Sequence, residues 1–299
     1  MRVLVLGATG MLGNAAFRIF GEDPRHEVWG TARDEGKKRF FAEDAQVRLC
    51  SGVDVLDQDA LVAVLNRVHP ELVINCIGLI KQLSDVNDPL AALPINAMLP
   101  HRLASLCALA RARLIHISTD CVFSGRKGGY QESDLSDAED LYGKSKFIGE
   151  LHDLPHAITL RTSIIGHELG SNHGLLEWFL SAQGQVKGYA KAVFSGLTAV
   201  ELAHVMRDVV LPHPELAGLY HVSAKPIAKY ELLKLVAGTY GKTIEIIPDD
   251  ALVVDRSLNS ERFARATGYV APEWSELITV MRCFQSDWED ISLCSRTGR

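Results

Sequence analysis

The chain has 299 residues, 47% of them hydrophobic and 23% charged, which is the composition of an ordinary globular protein. Its formal net charge of −6 at pH 7 provides no basic surface for nucleic acid, so we expect no nucleic-acid partner. No apolar stretch is long enough to span a membrane, and the apolar run before Gly7 is too short for the core of a signal peptide. These features predict a cytoplasmic protein without a membrane partner.

Six cysteines occur without a C-x-x-C pair or the regular spacing of a disulfide framework, so we expect reduced thiols. The histidines are scattered along the chain. His167, Glu168 and His173 are close in sequence, but their spacing fits no metal-ligand motif. We therefore expect no metal site.

The chain opens with an apolar strand at residues 2–6 that runs into glycines at positions 7, 10 and 13. Residues 14–20 then show helical periodicity. Glycines in such a turn allow a tight bend, a close approach of the backbone to a pyrophosphate and close helix-to-strand packing, while the helix N-terminus faces the phosphates. The turn therefore predicts a dinucleotide site. Its expected contacts are Gly7, Thr9, Gly10, Met11, Leu12 and Gly13.

A second strand at residues 26–31 ends where such folds recognise the ribose of the adenosine. An acidic residue there accepts a hydrogen bond from the 2′-hydroxyl of NAD, whereas an arginine accommodates the 2′-phosphate of NADP. This chain has both Arg33 and Asp34. Arg33 leads us to favour NADPH, and Asp34 leaves NADH open.

Three elements are predicted next: a strand within residues 47–55, a helix at about 58–68 and a strand at 72–78. Asp57 is the expected N-terminal cap of that helix. Small residues at the end of the second of these strands let the backbone lie close to a cofactor. The expected contacts there are Cys76, Ile77 and Gly78.

After a long helix from about 89 to 111, a fifth strand carries Thr119 at its carboxyl end, where open α/β sheets bind ligands. Further on, Tyr142 and Lys146 are four residues apart, which on a helix puts both side chains on one face. A free phenol has a pKa of about 10, and a neighbouring ammonium lowers it toward neutral pH. With Thr119 holding a carbonyl, the three side chains would pass a proton to an oxygen while a hydride reaches its carbon. A Tyr-x-x-x-Lys pair alone is also common on surface helices, and the glycine turn is what favours the catalytic interpretation.

A sixth strand at 157–161 continues the alternation of strands and helices. This alternation predicts right-handed β-α-β crossovers and an α/β fold with a Rossmann-type, doubly wound parallel sheet. Beyond residue 163 the pattern loosens, and we expect a smaller C-terminal α/β substrate lobe. An amphipathic helix at 174–180 contains Trp178, for which we favour a core position over a substrate contact.

The rest of the chain supplies elements of that lobe. Thr198 and Glu201 form a capping box that begins a helix. Strands are predicted at 220–222 and at 244–247, the latter closed by Pro248, and helices near 228–240, 259–267 and 273–290.

These motifs resemble the extended short-chain dehydrogenase/reductases, through Gly7-x-x-Gly10-x-x-Gly13 and Tyr142-x-x-x-Lys146. Within that superfamily, residues 118–125 and 142–150 resemble the dTDP-4-dehydrorhamnose reductase branch, with further likeness at 161–163 and 218–222. The resemblance covers about residues 1–225. It implies an oxidoreductase of polysaccharide biosynthesis that uses NADPH to reduce a keto group on a nucleotide-linked deoxysugar.

The resemblance also implies roles for single residues. Tyr142 would donate the proton, Lys146 would lower the pKa of the phenol and bind ribose, and Thr119 would hold the carbonyl oxygen. Asp54 and Val55 would border the adenine, although Asp54 also fits a helix cap. The acid of NAD-preferring relatives would fall on Thr31, which does not repel a phosphate. The expected substrate contacts are Lys81, Thr119, Asp120, Cys121, Phe123 and Trp178.

In this family the helix after Thr198 returns to the dinucleotide lobe. We therefore predict a dinucleotide-binding domain of residues 1–163 with 196–218, and a substrate-binding lobe of residues 164–195 and 219–299. The expected substrate is a nucleotide sugar. A homodimer, common for this fold, stays open.

The chain departs from the branch at Cys121, where an aromatic residue is usual, and at residues 193–198, which differ from the usual substrate loop. A sugar-nucleotide epimerase of the same superfamily is the nearest alternative. A dehydratase is disfavoured because the Asp-Glu pair that it needs after the threonine is here Asp120-Cys121. A non-catalytic, dinucleotide-binding regulatory subunit, like the one of methionine adenosyltransferase, is a further alternative, against which the intact Thr119, Tyr142 and Lys146 argue.

Overall fold

The computed structural model describes residues 1–79 and 84–297, with the side chains of residues 1–79 and 86–285. The strands, in chain order, are β1 (Arg2–Leu6), β2 (Glu27–Ala32), β3 (Leu49–Ser51), β4 (Leu72–Asn75), β5 (Arg113–Thr119), β6 (Ala157–Thr162), β7 (Ile164–Ile165), β8 (Gln185–Tyr189), β9 (Ala192–Phe194), β10 (Leu197–Thr198), β11 (Gly218–His221), β12 (Ile227–Ala228), β13 (Glu245–Asp249) and β14 (Val254–Asp255).

The helices, in chain order, are α1 (Met11–Gly21), α2 (Glu43–Gln46), α3 (Gln58–Val68), α4 (Pro89–Ala92), α5 (Leu99–Ala110), α6 (Leu141–Ile148), α7 (Leu175–Ser181), α8 (Ala199–His204), α9 (Lys229–Tyr240), α10 (Glu261–Thr267) and α11 (Trp274–Thr297). Short 3₁₀ turns cover Glu35–Phe40, Ser84–Asn87 and Asp120–Val122, and wider π turns follow α4 at Leu93–Met98 and α8 at Val205–Val210. Within the described residues, no helix combines the length and the apolar character needed to cross a membrane.

The large sheet has seven strands in the order β11-β6-β5-β4-β1-β2-β3, and every neighbouring pair is parallel. The strand order reverses between β1 and β4, which is where sheets of this kind bind ligands, beyond the carboxyl ends of the strands. The predicted α/β fold with a doubly wound parallel sheet is confirmed.

Both faces of this sheet are buried, because the apolar side chains of its strands alternate between two cores. In β1, Val3 and Val5 pack into the core that contains α1 and α8, whereas Leu4 and Leu6 pack into the core that contains α3 and α5. Burying one such side chain contributes about 1.5–3 kcal/mol. Because both faces of the sheet are covered, a ligand can approach the strands only at their ends.

Smaller sheets lie outside the large one: β8 pairs with β13, and β9 pairs with β12 and β14. The strand predicted at 244–247 does not stop at Pro248, because Pro248 lies within β13 opposite Gly188. Proline is tolerated there because β13 has a pairing partner on one side only.

One boundary of the predicted domains falls inside the large sheet. β11 pairs with β6 and completes the sheet, whereas the sequence predicts that residues from 219 onward belong to the substrate-binding lobe. We therefore propose that the second part of the substrate lobe begins after His221. The remaining division of the chain stays a prediction.

Candidate active site

The turn between β1 and α1 has the geometry of a phosphate cradle. Gly7 has a φ of +78°, which side-chain-bearing residues rarely adopt, and its N–H donates to the Thr31 hydroxyl at 3.1 Å. A Cβ on Gly13 would lie 2.0 Å from the Gly7 carbonyl oxygen, so only glycine lets the helix approach this closely. The backbone N–H groups at the start of α1 then face outward from the turn. These residues fit a dinucleotide pyrophosphate.

The other predicted contacts in this turn differ in exposure. Leu12 is buried in the core, so its backbone rather than its side chain is available to a ligand. Met11 is half-buried, and its side chain lies against Gly166 and Gly174. Thr9 is half-buried and Gly10 is exposed at the N-terminal cap of α1.

At the end of β2, Arg33 is exposed, while the Asp34 carboxylate accepts a hydrogen bond from the Gly36 N–H at 2.8 Å. Asp34 therefore caps the following 3₁₀ turn. After β3, the Asp54 carboxylate accepts from the Leu56 N–H at 2.9 Å, and Val55 is buried. Asp57 caps α3, as predicted.

The exit of β4 lies between the glycine turn and the lysine of α6. The Cys76 N–H donates to the Leu6 carbonyl oxygen at 3.2 Å. A Cβ on Gly7 would lie 2.9 Å from the side chain of Ile77, and a Cβ on Gly78 would lie 3.8 Å from Lys146 Nζ. The predicted cofactor contacts of this segment therefore lie close to the glycine turn and to Lys146.

The helix α6 is drawn onto the end of β5 by a glycine that the sequence reading did not single out. A Cβ on Gly143 would lie 2.2 Å from the Cys121 carbonyl oxygen, so any larger residue would push the helix away. The Asp140 carboxylate caps α6 by accepting from the Gly143 N–H at 2.8 Å. In this arrangement Tyr142 is half-buried and Lys146 is buried.

Lys146 and Thr119 meet at the end of β5. The Lys146 ammonium donates to the Ile117 carbonyl oxygen at 2.7 Å. Thr119 is buried, and its hydroxyl accepts from the Cys121 N–H at 3.2 Å. The same hydroxyl lies close enough to the Tyr142 phenol to act on its pKa. The structure thus brings Thr119, Tyr142 and Lys146 into one cluster.

Burial decides how these groups ionise. It raises the pKa of Tyr142 well above its usual value, and the negative charges of Cys121 and Asp120 add to the rise, against a lowering by the Thr119 hydroxyl. Burial also lowers the pKa of Lys146 to about 8. The expected fall of the phenol pKa toward neutral pH is therefore wrong, and Tyr142 is protonated at neutral pH.

The predicted substrate contacts differ in their burial. Burial raises the pKa of Asp120, and the positive charge of Arg256 is the largest influence that opposes this rise. Cys121 is half-buried beside it. Trp178 is 42% exposed on α7, so the favoured core position is wrong. Lys81 lies outside the described residues.

Phe123 is a correction to the predicted set. Its ring is fully buried, stacks on Tyr130 with 4.0 Å between ring centroids, and lies under the Arg161 guanidinium. A ring enclosed on both faces supports the loop and offers no surface to a ligand. The sequence predicted Phe123 as a substrate contact because it does not show which side chains enclose the ring.

The side chain of Asn96, in the π turn after α4, is held by protein groups. Its side-chain oxygen accepts from the Leu79 N–H at 2.9 Å, and its Nδ2 lies 3.2 Å from both the Leu79 carbonyl oxygen and Ser145 Oγ. It thereby links the exit of β4 to α6. In the described part of the chain, no three His, Cys, Asp or Glu side chains are placed to hold a metal ion.

Comparison with known proteins finds a matching family and several relatives of this chain. A family model described as RmlD substrate binding domain matches residues 1–281. Methionine adenosyltransferase 2 subunit beta from Danio rerio is 30% identical over 255 residues, which cover 80% of this chain and 74% of that protein. A dTDP-4-dehydrorhamnose reductase from Aggregatibacter actinomycetemcomitans is 26% identical over 238 residues, covering 77% and 75%.

A solved structure has the same fold. The crystal structure of dTDP-4-dehydrorhamnose reductase from Bacillus anthracis str. Ames in complex with NADP superimposes with a TM-score of 0.77. The match covers 95% of this chain and 98% of the other at 21% identity.

The glycine turn generates a stability prediction. Gly13→Ala forces its methyl group into the Gly7 carbonyl, so we expect the free energy of unfolding in urea to fall by about 1–3 kcal/mol. Gly21→Ala, at the other end of α1 with open space around its Cβ, is the matched control and should not lose stability. Equal stability of the two variants would contradict the close approach.

Proposed function

Because the chain belongs to the RmlD substrate binding domain family, we propose that it is an NADPH-dependent oxidoreductase that reduces a keto group on a nucleotide-linked deoxysugar. The observation that supports this most is the cluster of Thr119, Tyr142 and Lys146 beside a glycine turn fit for a pyrophosphate. The glycine turn follows β1, and Thr119 is the last residue of β5 in the same parallel sheet.

In the proposed reaction, a carbonyl becomes an alcohol by gaining a hydride at carbon and a proton at oxygen. A bound reduced nicotinamide supplies the hydride. Thr119 orients the carbonyl oxygen, and the Tyr142 hydroxyl donates its proton to that oxygen as negative charge develops there. The raised pKa of Tyr142 suits this role, because it keeps the proton on the phenol until the more basic oxygen forms.

Lys146 supplies the positive charge of the site. Once Tyr142 has lost its proton, the Lys146 ammonium stabilises the phenolate. The amine is anchored on the Ile117 carbonyl oxygen, which fixes its position relative to Thr119 two residues along the strand. Its remaining N–H groups are suited to a ribose hydroxyl.

The substrate side of the site carries positive charge from the predicted substrate-binding lobe, here called the second lobe. Lys229 begins α9, and Arg256 follows β14 and donates from Nε to the Phe123 carbonyl oxygen at 2.7 Å. Both positive charges act on the buried Asp120 and oppose the rise in its pKa. Such charges complement the diphosphate of a nucleotide sugar, in a protein whose net charge is otherwise negative.

NADPH is the proposed cofactor because Arg33 is exposed at the ribose position while Asp34 has its carboxylate engaged in a cap. NADH is the alternative. A homodimer is compatible with this proposal.

A second candidate function is supported by the likeness to methionine adenosyltransferase 2 subunit beta. In that case the chain would bind a dinucleotide as a regulatory subunit without turnover. A sugar-nucleotide epimerase is the third candidate. Stoichiometric oxidation of free NADPH with a keto nucleotide sugar supports the reductase, whereas turnover without net oxidation supports the epimerase.

The first test of the mechanism is Tyr142→Phe, which removes the donated proton and keeps the ring. We expect kcat to fall by about 10²–10⁴, while NADPH affinity stays within a few-fold of wild type. Tyr189→Phe, an exposed tyrosine on β8, is the control and should retain full activity. Retained activity in Tyr142→Phe would remove this residue from the mechanism.

The lowered pKa of Lys146 predicts a pH dependence. The ammonium is the active form, so kcat/KM should fall as pH rises through about 8, where Lys146 loses its proton. In Lys146→Arg the charge persists at high pH, and this alkaline limb should disappear even if the overall rate is lower. An unchanged limb in Lys146→Arg would assign it to another group.

The positive charge of the second lobe is tested by Lys229→Gln. We expect KM for the nucleotide sugar to rise about tenfold, because one charge facing the diphosphate is lost, with NADPH affinity unchanged. Lys225→Gln is the control, since Lys225 is exposed and paired with Glu273. Equal effects of the two variants on KM would argue against a specific role for Lys229.

A further inference from the structure

The end of β5 that carries the proposed site is paired with β6 but, in the part of the chain that the structure describes, not with β4. The register between β4 and β5 ends at Asn75 opposite His116. Pairing between β5 and β6 continues to Thr119 opposite Thr162. Among the described residues, 117–119 therefore have no strand partner on the β4 side, although β6 pairs with them on the other.

Two side chains, one on α6 and one just after its end, contact this part of β5. On one side, Lys146 Nζ donates to the Ile117 carbonyl oxygen at 2.7 Å. On the other, Ser118 Oγ donates to Glu150 Oε1 at 2.6 Å. Two consecutive residues of the strand end are thus joined to α6 through Lys146 and to the segment after α6 through Glu150.

Arg161 fixes Glu150 in turn. Arg161 Nε lies 2.8 Å from Glu150 Oε1, and Arg161 Nη2 lies 2.5 Å from Glu150 Oε2, which is a two-pronged contact. Both side chains are almost completely buried. Arg161 Nη1 donates to His221 Nε2 at 2.9 Å, and His221 Nδ1 donates to the Tyr130 carbonyl oxygen at 3.1 Å. Every charged atom of the pair thus has a partner.

A buried ion pair is a poor source of stability, because desolvating two charges offsets most of their attraction. Apolar residues of the same volume would serve the core as well. Glu150 and Arg161 lie next to Ser118, the residue before Thr119. This position suits the pair for holding the end of the strand.

We infer that Ser118, Glu150 and Arg161, here called the buried clamp, are positioning residues: they hold the end of β5 so that the Thr119 hydroxyl and the Ile117 carbonyl oxygen keep their places beside Tyr142 and Lys146. The inference rests on the proposed function for the role of Thr119. It adds three residues that touch neither cofactor nor substrate.

Ser118→Ala tests the clamp with the least disturbance, since the ion pair stays intact. Loosening the strand end should lower kcat about tenfold. Because Ser118 acts through Thr119, adding Ser118→Ala to Thr119→Val should lower kcat by less than about twofold beyond Thr119→Val alone. Ser223→Ala is the matched control: it removes another buried hydroxyl, which donates to the Leu258 carbonyl oxygen at 2.9 Å, and should leave kcat unchanged.

Amide hydrogen exchange provides a readout that needs no turnover. Exchange at residues 117–119 should be about tenfold faster in Ser118→Ala than in wild type, and unchanged there in Ser223→Ala. Unchanged exchange in Ser118→Ala overturns the clamp, whether or not the protein is a reductase.

The two proposals fail differently. If the wild-type protein oxidises no NADPH with any keto nucleotide sugar, the proposed function fails and exchange alone decides the clamp. If the wild type is active and the effects of Ser118→Ala and Thr119→Val on kcat simply multiply, the clamp is overturned while the proposed function stands.

Discussion

Burial sets the charge of the groups gathered at the carboxyl edge of the large sheet. It raises the pKa values of Tyr142 and Asp120, and it lowers those of Lys146 and His116. Each shift favours the neutral form, so a group keeps its charge only where a nearby group of opposite sign stabilises it. Lys146 is the clearest case, since the carboxylate of Glu150 opposes the effect of burial on its pKa. The site therefore depends on how its charges are paired as much as on which residues are present.

Two segments that are distant in the sequence are joined next to these groups. Residues 123–130, which follow the end of β5, form hydrogen bonds with residues 254–259. The Asp255 N–H donates to the Gly125 carbonyl oxygen at 2.7 Å, and the Tyr130 N–H donates to the Ser257 carbonyl oxygen at 2.8 Å. Arg256 reaches the Phe123 carbonyl oxygen from the same segment. Hydrogen bonds to backbone groups thus fasten the segment that follows Thr119 to residues more than 120 positions later in the chain.

Much of the fold could be predicted because it depends on local pattern. Alternating apolar strands and helices gave the doubly wound sheet, and the glycine turn and Asp57 cap were recognised from residue type and spacing. Family resemblance selected Thr119, Tyr142 and Lys146, which the structure brings into one cluster.

What could not be predicted depends on contacts between distant parts of the chain. The strands β8 and β9 are stabilised by pairing with β12, β13 and β14, which are distant in the sequence, and the place of β11 in the large sheet is decided by pairing with β6. Phe123 is buried where we expected a substrate contact, and Trp178 is exposed where we favoured a core position. The burial of a side chain depends on neighbours that are distant in the sequence. The rise in the pKa of Tyr142 has the same origin, since spacing along a helix says nothing of desolvation.

The π turn at Leu93–Met98 carries Asn96, whose amide spans Leu79 and Ser145. A π turn contains one residue more than the α-helical path between the same ends. Removing one residue from this stretch would let the helix relax to regular winding, with the turns on either side keeping their orientation and Asn96 losing the wide turn that aims its amide. The amide would then point elsewhere, so this helix tolerates substitutions of its exposed residues far better than a change in its length.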